Sequence, residues 1–533
     1  MAKRYIIAHD MGTGGSKTVL YDKDGALLGK SFQAYGTTYP KPRWAEQRPT
    51  DWWDAIVAGT RDVVEKTRID IKEIAVISFD GHGMGNVPVD AKGKLLREST
   101  MVWFDSRSSE QAKRVLDQIG LNEWYRMTGC AFDPAFFTGF KLLWYRDNEP
   151  RMFEKTHKFL GTKDYITLRM TGAQLSDYSD AQLSGFFDIH KMAYSEEILH
   201  VAGFPIEKLP ELFPSTQIAG ELLPGPAEEL GLPAGIPVVV GGEDVPCTAA
   251  GAGAVTKERS YSDIGTSGWM SVASPVPVIG DKVRISNFCH VVPGMYTPQM
   301  GVYSAGSTYQ WVQDVICQTE VAAAKQMGVD PFSLMEVEAG MSPAGSNRLL
   351  FLSTFAGGGN IHADNPDLKG AYVGIGPSHT RADVIRAAME GVSLDLGLIL
   401  DHYRTRGVSP DRMRLVGGGG KSPIWRQVLA DVFGIPVDVS NIGQEAAALG
   451  AAMIGGVGVG LWKDFTVVDR LTEVMYHCEP RPEPSARYQA LNRYHNPGVT
   501  PATAYSHPPK TAGLPLPESA RAPGCARQCT GSI

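Results

Sequence analysis

A duplicated α/β architecture follows from three features of this chain. Its 533 residues exceed the size at which one hydrophobic core stops growing, so at least two domains are expected. Two strand–glycine turn–strand units, one around Asp10 and one around Gly265, recur about 250 residues apart. Each is followed by helix and strand patterns, which duplication of one α/β domain explains most simply.

The first unit opens with the β-leaning run 5–8, the turn Asp10-Met11-Gly12-Thr13-Gly14-Gly15 and a returning strand at 17–21. Asp22-Lys23-Asp24-Gly25 is a hairpin signal, and Leu27–Ala34 continues as a third strand. Residues 49–66 carry Trp52, Trp53, Ile56, Val57 and Val63 at helical spacing, with Thr50 as the expected N-cap. A short apolar strand at 74–79 ends in the turn Asp80-Gly81-His82-Gly83-Met84-Gly85, and 87–89 with 95–96 form another hairpin signal.

The second unit begins near Pro237. Val238-Val239-Val240 has the pattern of a buried strand and ends in Gly241-Gly242-Glu243-Asp244, followed by a small-residue helix or turn at 249–255. Residues 259–264, Gly265-Thr266-Ser267-Gly268 and 269–273 then repeat the strand–turn–strand shape. Further on, a strand at 412–416 meets Gly417–Gly420 and a helical stretch at Pro423–Phe433. Residues 496–533 contain seven prolines and no apolar periodicity, so a disordered or loosely packed tail is expected there.

Composition narrows the function classes. Apolar residues at 43% and charged residues at 20% describe a globular protein and exclude wholesale disorder. No run of about 18 or more apolar residues offers a membrane span. A net charge of −7 argues against binding a phosphate backbone, which needs clustered cations. The seven cysteines are odd in number, dispersed, and free of CxxC or zinc-ligand spacing. A soluble cytoplasmic protein with free thiols, no membrane and no nucleic acid is the expectation.

The motifs point to phosphate chemistry without naming a reaction. Glycine, serine and threonine turns between strands gather backbone N–H groups at one point, which suits phosphate oxygens and equally suits an ordinary hairpin. Asp10 leads one such turn, where a carboxylate holds Mg²⁺ through water. The sequence excludes a P-loop, because Leu415 stands where the first loop glycine before Gly420-Lys421-Ser422 belongs. Gly417–Gly420 let the backbone approach a flat ligand or serve as a flexible connection. Asp244 follows a strand and is either a general base or a helix N-cap. Asp105 divides the same way between ligand binding and capping, and His82 fits a surface turn better than a ligand site.

Taken in order, these segments resemble the FGGY carbohydrate kinases of the actin-like ATPase superfamily, xylulokinases in particular. The matching residues include Asp10 to Gly15, Trp44-Ala45-Glu46-Gln47 with Trp52-Trp53, Trp103-x-Asp105-x-Arg107, and Lys141-Leu142-Leu143-Trp144. Lys163-Asp164-Tyr165, Ser176-Asp177-x-Ser179-Asp180, Gly241-Gly242-Glu243-Asp244, Gly265 to Gly268, Gly417 to Gly419 and Glu445-Ala446-Ala447-Ala448-Leu449-Gly450 complete the series. The resemblance implies two actin-like (ribonuclease H-like) domains, 1–246 for the sugar and 247–495 for the nucleotide, with a cleft between them. It implies ATP and Mg²⁺, a small sugar or polyol acceptor, and a homodimer at the level of the family. By position Asp244 is the expected base and Asp10 the residue that positions Mg²⁺ and phosphate. Gly12, Thr13, Gly14, Gly265, Thr266 and Ser267 are the expected phosphate turns, and Gly417, Gly418 and Gly419 line adenine and ribose. His82, Gly83, Met84, Asp105, Asp244 and Val245 are the expected acceptor contacts.

Departures from the xylulokinase pattern bear on the acceptor. His82-Gly83-Met84-Gly85 replaces Gln-Met-His-Gly, Val245 replaces the Asn after the base, and Gly358-Gly359-Asn360-Ile361-His362 replaces Gly-Glu-Arg-Thr-Pro. Lost hydrogen-bond partners alter discrimination at a hydroxyl. D-xylulose is therefore one expected acceptor beside L-xylulose, erythritol or a linear diol of the autoinducer-2 type. An ATP-binding chaperone, a filament protein and a non-catalytic regulator are the readings from other classes. Glu243 stands where the family has a third glycine. Were it to face the cleft with Asp244, repulsion would raise the pKa of the base, but alternation along the chain points the two side chains apart.

Overall fold

The computed structural model describes residues 3–280, 283–357, 361 and 368–495. The proline-rich stretch 496–533 lies outside the described residues, as does the 358–362 departure apart from Ile361.

Strands β1 (Tyr5–Gly12), β2 (Gly15–Asp22) and β3 (Leu27–Ala34) form an antiparallel meander joined by the two turns read above. Helix α1 (Pro49–Thr67) lays Trp52, Trp53, Ile56 and Val63 against this sheet. Thr50 is not its cap. Pro49 occupies the first turn with its φ already suited to a helix, which puts Thr50 inside it. Strand β4 (Ile74–Gly81) runs parallel to β1 and is buried along its whole length. The expected hairpin at 87–89 is reduced to a Val89–Leu95 bridge, since Val87–Val89 pairs with Lys158–Leu160 instead. Helices α2 (Thr162–Thr171) and α3 (Tyr178–Gln182) follow. Strands β5 (Ile218–Glu221), β6 (Pro237–Val239) and the two-residue β7 (Gly242–Glu243) complete a seven-stranded sheet, in the order β5-β6-β4-β1-β2-β3 with β7 on β4.

Helix α4 (Asp244–Gly251) leads into the second sheet, made of β8 (Ser260–Ile264), β9 (Gly268–Val272), β10 (Ser286–Cys289), β11 (Tyr296–Val302), β12 (Met413–Val416), β13 (Val437–Ser440) and β14 (Val474–Cys478). Its order is β10-β11-β9-β8-β12-β13-β14. The plan of the first sheet recurs. An antiparallel trio (β8, β9, β11) is extended from its inner strand by two parallel strands, β12 and β13, as β1–β3 are by β4 and β6. Helices α5 (Gly306–Trp311), α6 (Arg381–Arg404), α7 (Pro423–Phe433) and α8 (Ala446–Gly458) complete the framework, with α6 buried along most of its length.

Two helices are exchanged between the halves. Helix α8 comes from the second half, yet its Ala448, Ala451, Ala452 and Ile454 share a core with Ile6, Ala8, Val76 and Val239 of the first sheet. Ser78 Oγ on β4 donates to the Ala451 carbonyl at 2.5 Å. Helix α4 leaves the first sheet and sends Ala249 among Tyr261, Ala273 and Val416 of the second. All five described cysteines are free thiols, and four are buried.

Candidate active site

Parallel pairing brings three elements of the first sheet to one point. Asp10 on β1 is in register with Asp80 on β4, and Asp80 is in register with Gly242 on β7. These are the carboxyl ends of the strands, where open α/β sheets place their ligands. Helix α4 starts two residues later, at Asp244.

The cap of α4 is Glu243, whose Oε2 accepts the Val245 N–H at 2.9 Å. Asp244 is therefore not spent on capping, and it is half-buried. Burial pushes its pKa up to about 6, with the hydrogen bond from Glu243 opposing the rise and the charge of Asp10 adding to it. The alternation expected between Glu243 and Asp244 fails, because the strand ends at Glu243 and helical rotation takes over. The two side chains instead share a hydrogen bond, and burial with the Asp244 charge holds Glu243 well above the usual carboxylate range.

Asp10 is partly buried, and burial raises its pKa while Lys17 opposes the rise. Lys17 Nζ lies 3.3 Å from Asp10 Oδ2 and 3.3 Å from Glu445 Oε2, and donates to the Gln444 carbonyl at 2.9 Å. That ammonium ties the first half to Gln444 and Glu445 of the second. Asp80 is fully buried, and neither of its oxygens has a hydrogen-bond partner among the described residues. Burial and the charges of Asp10 and Asp244 push its pKa well above the ordinary value.

The expected phosphate turns lie at equivalent ends of the two sheets. Thr13 is held by its carbonyl, which accepts from Gln47 Nε2 at 2.7 Å, and by its hydroxyl, which accepts from Trp103 Nε1 at 3.0 Å. Gly12 and Gly14 flank it between β1 and β2. In the second half, the Gly265 carbonyl accepts from Gly306 N at 2.8 Å and the Thr266 carbonyl from Ala305 N at 3.0 Å, which seats the turn ending in Ser267 on the start of α5. Gly417 has a φ of 83°, and a Cβ there would meet Asp263 Oδ1 at 2.5 Å and the Ile264 carbonyl oxygen at 2.7 Å. Pairing of β8 with β12 thus sets Gly417, Gly418 and Gly419 against the Gly265 turn.

The acceptor residues divide. His82 is buried rather than on a surface turn, covered by Trp52 and by Thr162 Oγ1 at 3.3 Å, and burial lowers its pKa to about 4, so it is neutral. Gly83 packs on Leu183 and Glu243, while Met84, at a φ of 60°, enters an aromatic-rich core that Val245 borders. Asp105 stands apart. It is fully buried, its Oδ2 accepts the Ala45 N–H at 2.7 Å, and both oxygens pair with Arg107, so it acts as a structural anchor.

Models of the FGGY family of carbohydrate kinases match this chain over both halves, the N-terminal domain at residues 5–251 and the C-terminal domain at 261–459. The chain belongs to the FGGY family of carbohydrate kinases. This FGGY kinase is 30% identical over 451 residues to the xylulose kinase of Escherichia coli (strain K12), covering 85% of this chain and 89% of that protein. It is 28% identical to the gluconokinase of Bacillus licheniformis over 489 residues, 91% and 94% of the two chains. Its fold superposes on the solved xylulose kinase from Rhodospirillum rubrum with a TM-score of 0.84 at 25% identity, covering 94% of this chain and 99% of that one. The gluconate kinase from Lactobacillus acidophilus gives 0.82 at 25%, covering 92% and 96%. The two α/β halves are thus the actin-like, ribonuclease H-like domains of a sugar phosphotransferase that uses ATP.

Sequence reading missed two acidic residues of this FGGY kinase. Asp80 reads as part of a glycine turn, although a carboxylate directly after the mostly apolar run 74–79 is a signal in itself. Asp263 stands near the end of β8 as Asp10 does near the end of β1, and Asp263-Ile264-Gly265-Thr266-Ser267-Gly268 repeats the pattern Asp-x-Gly-Thr-x-Gly. Burial raises its pKa to about 6. Aligning the two turns residue by residue exposes it.

Proposed function

We propose that this FGGY kinase transfers the γ-phosphoryl group of ATP to a hydroxyl of a small ketose or polyol, in the manner of a xylulokinase, with Asp244 as general base. The observation that carries the reading is the Asp244 carboxyl, released from capping by Glu243 and set beside Asp10 at the strand ends. With a pKa near 6 it is ionised at neutral pH and still basic enough to accept the hydroxyl proton as the oxygen attacks. Phosphoryl transfer depends mostly on positioning and charge stabilisation, so one base and two phosphate turns suffice for the protein's part. Residues 1–246 would hold the acceptor and 247–495 the nucleotide.

The acidic cluster fits Mg²⁺. Asp80, in register with Asp10, leaves two oxygens without a partner among the described residues, and a cation arriving with the nucleotide and its waters would satisfy them. Asp10 would hold the ion, which when bound supplies charge neutralisation at the transferring phosphate.

The same residues favour an uncharged acceptor over a sugar acid, because Asp10, Asp80, Glu243 and Asp244 gather acidic groups at the strand ends and the nearby His82 is neutral. Val245 beside the base favours an acceptor with one hydroxyl fewer to satisfy there, which keeps L-xylulose, erythritol and a linear diol as a second reading. ADP release with Mg·ATP, measured over D-xylulose, L-xylulose, D-ribulose, erythritol, glycerol, a linear diol and gluconate, tests the proposal. One strong neutral responder is expected. Release with gluconate alone would overturn the uncharged-acceptor reading, and no acceptor-dependent release from an ATP-bound protein would favour a regulator.

A further inference from the structure

Glu243 is held more firmly than a helix cap requires. It is 3% exposed. Its backbone N–H donates to Ser179 Oγ at 2.9 Å, and that hydroxyl donates to Asp177 Oδ2 at 2.6 Å. Asp177 in turn accepts from Ser215 Oγ at 2.7 Å and lies 2.9 Å from Lys163 Nζ, which also pairs with Asp164 at 2.6 Å. The backbone bearing Glu243 is thus tied to a buried ion cluster of Asp177, Lys163 and Asp164.

The side chain is wedged as tightly. A Cβ on Gly83 would lie 3.0 Å from both Cγ and Oε1 of Glu243 and 2.4 Å from Leu183 Cδ1, so only glycine at 83 leaves room for this carboxyl. One oxygen serves Val245 N–H, and the carboxyl also reaches the Asp244 side chain. Glu243 therefore spans the gap between the acceptor loop and the base.

We infer that Glu243 is a positioning residue: wedged between Gly83 and the start of α4, its carboxyl donates a hydrogen bond to the Asp244 carboxylate and aims that base at the acceptor hydroxyl. The inference rests on Asp244 being the base. A carboxyl next to a carboxylate keeps one proton between them, since both cannot ionise at contact distance. The groups facing the pair reinforce this. Asp10 on β1, Asp80 on β4, Asp180 on α3, Cys247 on α4, Tyr261 on β8 and Tyr35 after β3 are acidic or neutral, and the Lys163 ammonium is engaged by Asp164 and Asp177. The pair thus holds one proton and one negative charge, with the proton on Glu243, the more deeply buried partner.

The test compares Glu243→Gln, Glu243→Leu and Asp244→Asn in the full-length enzyme. An amide can accept from Val245 and donate to Asp244 at once, whereas leucine fills the space with no donor. Glu243→Gln should keep kcat within about threefold of wild type, because the geometry of the donor survives. Glu243→Leu should lose about tenfold or more in kcat, with ATP affinity unchanged and the acid limb of the pH–kcat profile moved upward, since the carboxylate has lost a stabilising donor. Wild-type kcat and acid limb in Glu243→Leu, or equal damage from both substitutions, would overturn the inference. Asp244→Asn separates it from the base assignment. An inactive Asp244→Asn beside an unaffected Glu243→Leu removes only the pairing, while near-normal turnover in Asp244→Asn removes the base assignment itself.

Discussion

Gly450 lies so close to Cys247 that a Cβ on it would be 2.0 Å from the Cys247 carbonyl oxygen. The contact is reciprocal, for a Cβ on Gly251 would meet the Ala446 carbonyl oxygen at 1.8 Å. Helices α4 and α8, one from each half, thus cross with their backbones touching. Both obstacles are backbone atoms, which no side-chain rotation relieves, so the crossing distance is set by two hydrogens.

Gly450→Ala should therefore destabilise by about 1–3 kcal/mol or more through overpacking. Gly225→Ala makes the control, since nothing stands within 4 Å of a Cβ there and the residue is helical. A change within about 0.5 kcal/mol is expected at that site, which lies in the first turn of its helix and before Pro226. Thermal unfolding of the two variants side by side checks the contrast.

Asp244→Asn should lower kcat by about 10²–10⁴-fold while ATP affinity is retained. In the wild type the carboxylate form is the active one, so turnover should fall as pH drops through about 6 and level off above it. A pH–rate profile that stays flat from pH 8 to pH 5 would assign the base elsewhere.

Asp80→Asn should stabilise the protein at neutral pH. The folded-state pKa of Asp80 is raised, so the folded chain retains a proton that the unfolded chain has released. Stability is therefore lost as pH rises above about 4, the unfolded value, until the folded carboxyl ionises in turn. Removing a buried, unpaired carboxyl should recover about 1–3 kcal/mol at pH 8 and almost nothing at pH 4. Melting temperatures of the variant and the wild type at those two pH values decide the point.

Val245→Asn should shift acceptor preference by about tenfold or more toward ketoses with a hydroxyl near the base, leaving KM for ATP unchanged. Competition between D-xylulose and a linear diol, measured before and after the substitution, reads this directly.

Much of this was legible in the residues. β3 at Leu27–Ala34 and α7 at Pro423–Phe433 fall where alternation, a hairpin turn and a flanking proline put them. The duplication was visible as two similar turns, and Asp10 and Asp244 as acids at strand ends. Three things were not. Short helices such as Tyr178–Gln182 carry too little local signal to be read, because a nucleus that small is stabilised by its surroundings rather than by propensity. The side of the chain that Glu243 faces depends on where a two-residue strand gives way to a helix, and a boundary shift of one residue reverses it. The burial of His82 comes from Trp52 and Thr162, which are distant in sequence and meet it only in the folded chain.

The exchange of α4 and α8 also bears on how the molecule can be taken apart. A fragment ending at residue 246 would keep every strand of the first sheet yet lack its cover, exposing Ile6, Ala8, Val19, Val76 and Val239 to water along one flank. The complementary fragment would lack the strand from which α4 starts. Neither piece is a self-sufficient unit, because a cut after Pro246 falls inside α4 and parts Asp244 from the turns of that helix that cross α8, so each piece alone should aggregate.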